Sequence, residues 1–337
     1  MLKSIFKFEI DWQKMTREKP CLYLIIPCFN EEEVLPKTCD LFLGKINELI
    51  KAGEIAQNSK ILFVNDGSTD STWEIIKALA ARDPHFAGIA QSRNRGHQAA
   101  VLAGLMEAKD KCDITISIDC DGQQDINAVD TMIAKYKEGA EVVYGVRNSR
   151  GNEGFFKKAT GETFYRVLGH LGADFIPNHA DYRLVSNRVL RELANYGEVN
   201  LFLRGLFPLV GFKSEIVRYD QFDRVAGHSH YTLTKMLTLA WDGITSLSVR
   251  PLHFITILGM VVAILSFIAV VVTIVEYMLG MTVQGWASTT SIIAFIGGVQ
   301  LVCVGVIGEY VGKIYLEVKH RPRYVISDRT GEDETRD

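Results

Sequence analysis

Asp119, Asp121 and Gln123 stand at alternate positions just beyond an apolar run, within Ile114–Asp125, ITISIDCDGQQD. Such a run reads as a buried strand that delivers two carboxylates and an amide oxygen to its carboxyl end. Hard oxygen donors at that spacing suit Mg2+ or Mn2+ carrying a diphosphate. Polar clusters follow three other apolar runs: Asn30–Glu33 after LYLIIP, Asp66–Asp70 after ILFVN, and Arg93–Gly96 after Phe86–Gln91. In Asp66-Gly67-Ser68 the carboxylate could accept a base imide N–H, or the stretch could be a plain capped turn with Ser68 or Asp70 as N-cap. Phe29-Asn30-Glu31 could line a ribose and base, or could simply enter a helix.

These clusters need a scaffold that gathers them at one edge. Strands are predicted at Leu22–Pro27, Ile61–Asn65, Phe86–Gln91, Ile114–Ile118 and Val142–Val146. Helices are predicted at Val34–Ala52, Thr72–Ala81, Ala99–Lys109 and Ala128–Lys137. Strand and helix in alternation give an α/β fold, a Rossmann-type, mostly parallel sheet with helices on both faces. In such sheets ligands bind beyond the carboxyl ends of the strands, where all four clusters fall.

Hydrophobic residues make up 47% of the 337, and they concentrate between Leu252 and Gly308. The roughly 250 residues ahead of that region suffice for an ordinary core. A net charge of −3 gives no reason to expect a nucleic-acid partner. Cys21, Cys28, Cys39, Cys112, Cys120 and Cys303 form no C-x-x-C pair and no disulfide-like spacing, as expected of reduced thiols in a cytosolic compartment. Lys3, Lys7, Glu9, Asp11 and Lys14 interrupt the first stretch, so no apolar signal core is expected there.

Phe254–Val275 and Thr289–Gly308 carry no charge, and each is long enough to cross a hydrocarbon core of ~30 Å. Gly297, Gly298, Gly305 and Gly308 suit close helix contact in lipid. Arg250 precedes the pair and Lys313, Lys319, Arg321 and Arg323 follow it, while Gly280–Ser288 holds no basic residue. Positive-inside bias therefore puts both flanks and the folded domain in the cytosol, on a multi-pass protein of the cell membrane. Leu233, Met236, Leu237, Ala240, Trp241 and Ile244 recur at helical spacing, as an interfacial helix or one packed on the domain. The charged tail Ser327–Asp337 is expected to be disordered. The expected division is a lead (1–20), a cytosolic domain (21–230), a juxtamembrane helix (231–250), two spans (251–312) and a cytosolic tail (313–337).

Eight stretches carry a resemblance. They are IIPCFNEEEVL (25–35), FVNDGSTDST (63–72), SRNRGHQAAVLAGL (92–105), SIDCDGQQD (117–125), VVYGVRNSR (142–150), ADYRLVSNRVL (180–190), NLFLRGLFPLVGF (200–212) and DRVAGHSHYTL (223–233). In order and number they resemble glycosyltransferase family 2. Within it the closer likeness is to polyprenyl-phosphate glycosyltransferases, such as bactoprenol glucosyltransferases and dolichyl-phosphate mannose synthases. The resemblance implies a GT-A-like fold and inverting transfer of one hexose, glucose from UDP-glucose foremost, to undecaprenyl or a related polyprenyl phosphate. Asp119, Asp121 and Gln123 would hold the Mg2+ or Mn2+ cofactor. Pro27, Phe29, Glu31, Asp66, Asp119, Cys120, Asp121, Arg224 and His230 would bind the nucleotide-sugar. Arg147 and Arg204, with Lys157 and Lys158 more loosely, would hold the acceptor phosphate.

Asp181, in ADYRL, matches the family's catalytic aspartate and would accept a proton from the acceptor phosphate or orient it. As a carboxylate at a strand start it could instead pair with Arg183 or Arg188. Two departures stand out. The family's diproline after the acidic motif is absent, and His230 stands where the family carries a lysine. The partners implied are the donor, the lipid phosphate, the bilayer, and a downstream flippase and transferase, with a homo-oligomer left open. No Q-x-x-R-W stretch appears, which sets aside a processive synthase. The alternatives are transfer from GDP-mannose, and a membrane-anchored protein that binds nucleotide-sugar without transfer.

Overall fold

The computed structural model describes residues 17–148, 179–200, 202–222, 245, 248–279 and 285–331. Strands β1 (Leu22–Cys28), β2 (Lys60–Asn65), β3 (Phe86–Gln91), β4 (Ile114–Ser117) and β5 (Val142–Arg147) alternate with helices α1 (Leu35–Ala52), α2 (Thr72–Arg82), α3 (His97–Ala108) and α4 (Ala128–Lys137). Each coincides with an expected element to within about two residues. Three strands lie beyond those expected: β6 (His179–Ser186), β7 (Ser214–Tyr219) and β8 (Ile326–Arg329). Helices α5 (Asn187–Leu193), α6 (Leu203–Val210), α7 (Arg250–Met278) and α8 (Trp286–Val318) complete the described elements.

The eight strands form one sheet in the order β7-β5-β6-β4-β1-β2-β3-β8. Its centre is parallel, β4-β1-β2-β3, as the alternation requires. Strand β6 intrudes between β4 and β5 and runs antiparallel to both. Because it runs backwards, its amino end lies at the carboxyl edge of its neighbours. Side chains alternate across β1: Leu22, Leu24 and Ile26 join the core under α1, α2 and α4, while Ile25 joins the core under α3, α5 and α6.

Local chemistry fixes the helix positions. Helix α1 ends at Gly53, whose left-handed φ of 74° lets Gly53 N donate to Ile50 O and Glu54 N to Leu49 O. Helix α3 is apolar nearly all round and lies fully against the sheet; a Cβ at Gly104 would come within 2.4 Å of Ile25 Cγ2.

The tail expectation needs correction. Ile326–Arg329 pairs antiparallel with the β3 edge, and Thr330 Oγ1 accepts from Gly88 N at 2.8 Å, so the segment from Ser327 is ordered at its start. Backbone pairing to an open edge asks little of side-chain hydrophobicity, which is why a charged sequence succeeds here. The second apolar helix also outruns its expected end at Gly308 and continues to Val318. Arg250–Glu276 and Ser291–Val318 are long and apolar enough to cross a membrane, and no residue in the most apolar stretch of either is buried.

Candidate active site

Three loops at the carboxyl edge are laced together by backbone and side-chain hydrogen bonds. Asn30 N donates to Ser68 Oγ at 3.0 Å, Glu31 N to Thr72 Oγ1 at 2.8 Å, and Thr69 N to Asn30 Oδ1 at 2.9 Å. Neither capping candidate is the N-cap of α2, which is Ser71 without a side-chain cap bond; Asp70 Oδ1 accepts from Thr72 N at 3.1 Å just ahead of it. Asp66 is buried, and its two oxygens accept from Arg95 N at 2.8 Å and Gly96 N at 2.9 Å. Burial raises its pKa, against the pull of those two N–H donors. Gly67 makes this join possible: its φ is +63°, and a Cβ there would lie 2.4 Å from the Arg93 carbonyl carbon. Pro27 and Glu31 are half-buried at this edge, and Phe29 presents a ring 45% exposed.

The acidic loop after β4 is held by a residue that the motif reading did not single out. Gln124 is buried; its Oε1 accepts from Asp119 N at 3.0 Å and its Nε2 donates to Asp119 Oδ2 at 2.7 Å. Gln123 N donates to Asp121 Oδ1 at 3.1 Å, and Gln123 Oε1 accepts from Gln221 Nε2 at 3.4 Å. Phe222 N also donates to Gln123 O at 2.9 Å, so bonds to the 221–222 segment stiffen the loop where the family has its diproline. The Cys120 side chain is buried with its sulfur 3.9 Å from Thr38 Oγ1, which leaves only its backbone at the loop surface.

Burial raises the Asp119 pKa; His97 opposes the rise, and the charges of Asp181 and Asp121 add to it. Two carboxylates and an amide oxygen, all hard oxygen donors on one loop, fit a divalent cation. Among the described residues no group of three or more His, Cys, Asp or Glu side chains forms a cage by itself. The fit is therefore to an ion that takes its remaining ligands from phosphate and water, the usual manner of Mg2+.

Asp181 is the hub of a second charged cluster. It is 8% exposed and accepts from Arg183 Nη2 at 2.5 Å and from Arg204 Nη2 at 3.1 Å. His97 Nε2 lies 3.4 Å from Asp181 Oδ2 and 3.8 Å from Asp119 Oδ1, bridging the two carboxylates. Burial works to raise the Asp181 pKa, but the His97 hydrogen bond and the Arg204 and Arg183 charges hold it well below the ordinary carboxylate value. The His97 side chain is 44% exposed; partial desolvation disfavours its charge, and the Asp181 hydrogen bond with the Asp181 and Asp119 charges outweighs it, raising the pKa. Arg183 is fully buried, stacks 4.5 Å over the Phe207 ring and donates to Leu203 O at 3.4 Å.

The sequence alternatives resolve in part. Asp181 does pair with Arg183, while Arg188 lies elsewhere, over the Phe212 ring at 4.8 Å and 4.0 Å from Glu141. Arg204, expected on the acceptor, is on the same carboxylate. Arg147 ends β5 with Nε 3.3 Å from Tyr219 OH, close enough for its charge to act on Asp119. His97 escaped the sequence reading; its only signal was its place opening a helix after a strand, in G-H-Q-A-A. Arg224, His230, Lys157 and Lys158, and the juxtamembrane stretch 231–244, lie outside the described residues.

The model of the family described as "Glycosyl transferase family 2" matches residues 23–195, and that of the "GtrB C-terminal hairpin" matches residues 250–314. An uncharacterized glycosyltransferase, YkoT, of Bacillus subtilis (strain 168) is 48% identical over 312 residues, covering 93% of each chain. A bactoprenol glucosyl transferase of Shigella phage SfV is 38% identical over 309 residues, 90% of this chain and 97% of its own. Among solved structures, mannosyl-3-phosphoglycerate synthase from Rubrobacter xylanophilus aligns at TM-score 0.46 and 12% identity, over 68% of this chain and 73% of its own. With a catalytic domain and a C-terminal hairpin both matched, and relatives this similar over nearly their whole length, the chain belongs to glycosyl transferase family 2 and is a glycosyltransferase of GT-A-like fold.

Proposed function

We propose that this enzyme transfers one hexose, glucose from UDP-glucose, to a polyprenyl phosphate such as undecaprenyl phosphate, with inversion, at the cytosolic face of the cell membrane. The observation that carries the reading is the meeting of two charged groups of side chains at one sheet edge. A donor-side carboxylate set (Asp119, Asp121) and a cation-ringed Asp181 are joined there by His97. The resemblance of nearly the whole chain to a bactoprenol glucosyl transferase supports the acceptor class. Two apolar helices suited to a bilayer support a lipid-borne acceptor.

On the donor side, Pro27, Phe29 and Glu31 line the nucleotide, Asp66 fixes the loops beside it, and the Cys120 backbone follows it. Asp119, Asp121 and Gln123 hold Mg2+ or Mn2+, which when bound offsets the charge that builds on the leaving diphosphate. Arg224 and His230 are assigned to the donor phosphates on the family resemblance alone. On the acceptor side, Arg147 and Arg204 hold the lipid phosphate. Its oxygen forms the new bond to the anomeric carbon, and the bond to the diphosphate oxygen breaks with its electron pair leaving on the nucleotide.

A phosphate monoester is mostly ionised at neutral pH, with a second pKa of about 6. It needs no strong base, and an Asp181 held well below the ordinary value would be a poor one. Asp181 instead orients Arg204 and His97 around the incoming phosphate. Incubating the purified protein with vesicles containing undecaprenyl phosphate, Mn2+ and a panel of nucleotide-sugars, and reading the lipid by mass, tests donor and acceptor together. A product from GDP-mannose alone would replace the donor and leave the acceptor standing.

A further inference from the structure

Helix α8 changes character where its apolar sequence ends. Past Gly308 it carries Tyr310, Lys313 and Glu317, spaced to share one face. That face meets both the segment just ahead of α7 and the 199–200 stretch of the catalytic domain. Tyr310 OH donates to Ser248 O at 2.7 Å, Lys313 Nζ donates to Thr245 Oγ1, and Lys313 O accepts from Asn200 Nδ2 at 3.3 Å. The Glu317 carboxylate accepts from Val199 N at 2.9 Å, Asn200 N at 2.7 Å and Asn200 Nδ2 at 2.8 Å. Just past the helix, Arg323 Nη1 donates to Tyr196 O at 2.7 Å. One membrane-side helix end thus collects the 196–200 stretch, which has no regular structure of its own beyond a bend at 199–200.

Asn200 stands just ahead of α6 in the chain. Leu203 N, in the first turn of α6, donates to Gln98 Oε1 at 2.8 Å, and Gln98 follows His97. Leu203 O accepts from Arg183, and Arg204 donates to Asp181. These contacts tie the first turn to the neighbourhood of Asp181, and the approach to the turn is held by Glu317. Three donors on one carboxylate are charge-assisted bonds, stronger than neutral ones.

We infer that Glu317 is a positioning residue: from the end of a membrane helix it fixes the entry to α6 and so aims Arg204 at the acceptor phosphate. The inference rests on the proposed role of Arg204. It gives the hairpin a task beyond anchorage. The helix that sits in the bilayer sets where the phosphate-binding arginine stands, so the lipid headgroup and its cation share one frame.

The test uses the full chain in lipid nanodiscs, as wild type, Glu317→Ala and Glu317→Gln. Without substrate, amide exchange at Leu203–Val210 should rise roughly tenfold in Glu317→Ala, with the β1–β2 core unchanged and Glu317→Gln between the two. With UDP-glucose and undecaprenyl phosphate, kcat/KM for the lipid should fall about 10- to 100-fold, as a small misplacement of a positioned group does. UDP affinity should stay at the wild-type value, and Glu317→Gln, which keeps one acceptor oxygen, should recover part of the loss. Wild-type exchange in α6 of Glu317→Ala overturns the inference, and so does loosening without loss of lipid transfer, or an equal loss of UDP binding. If wild type itself makes no glucosyl lipid, the functional reading fails, while the exchange result still decides whether Glu317 holds α6.

Discussion

Asp181 stands across from Asp119 because of strand direction. Strand β6 runs antiparallel to β4, with Ser117 paired to Arg183. Two further steps along β4 and two back along β6 set Asp119 against Asp181. The Ser117 hydroxyl donates to the Asp181 carbonyl and pins the pairing at that edge. A parallel strand in that slot would have presented Asp181 at the opposite end of the sheet. The fold therefore opposes two carboxylates that would repel, and His97 lies between them.

That arrangement makes Asp181 a structural group, whatever part it takes in the proposed reaction. Removing its charge leaves Arg183 buried without its partner, a loss of about 3–5 kcal/mol for a buried pair. Asp181→Asn should therefore melt well below wild type and lose turnover by ~10²-fold or more. If Asp181 orients rather than accepts a proton, the residual activity keeps the wild-type pH profile. A variant with wild-type melting temperature and turnover would contradict the hub.

Asp181 also sets an acid dependence. Its folded pKa is depressed below the ordinary 3.8, so its contribution is present above the unfolded value and is lost as pH falls through the folded one. The melting-temperature gap between wild type and Asp181→Asn should be constant at neutral pH and close as pH drops below about 3.8. A gap that closes on the alkaline side would mean that another group titrates.

Gln124 offers a test outside the acidic motif. Gln124→Ala removes both bonds that fix Asp119 and leaves its half-buried N–H without that partner, at a cost of about 1 kcal/mol. UDP-glucose affinity in Mn2+ should weaken roughly tenfold. Asp121→Ala should lower turnover by at least ~10²-fold while the domain stays folded. Both effects are read by calorimetric titration and a transfer assay.

With no complete cage of acidic, histidine or cysteine side chains among the described residues, metal affinity should depend on the nucleotide. Mn2+ titration should give weak binding alone and binding at least tenfold tighter with UDP present, since phosphate oxygens complete the shell. Equal affinity in both cases would mean that the protein alone forms the site.

The parallel half of the sheet was legible because its strands are short apolar runs closed by polar loops, and α1, α2 and α4 carry a clear period. Asp119, Asp121 and Asp181 were legible as types at strand ends. What escaped depends on contacts distant in sequence. Nothing local in HADYRLVS says that it runs backwards between β4 and β5, and His97 gains its meaning only from Asp181, far along the chain. The extension of α8 escaped for a different reason. Hydropathy falls at Glu309, Lys313 and Glu317, but a helix with one polar face continues wherever that face finds partners. Strand β8 was hidden by charge, because its partner is the backbone of β3.

Transfer of labelled glucose from UDP-glucose to undecaprenyl phosphate in vesicles with Mn2+, by wild type and by Arg204→Lys, tests the central claim most directly. The expected result is a glucosyl phosphate lipid from wild type, with the lipid KM raised about tenfold in Arg204→Lys, since lysine cannot reproduce the paired contacts of a guanidinium. UDP binding should be equal in the two proteins. Label on a phosphate-free polyprenol, or none on the lipid with any nucleotide-sugar while UDP still binds, would contradict it.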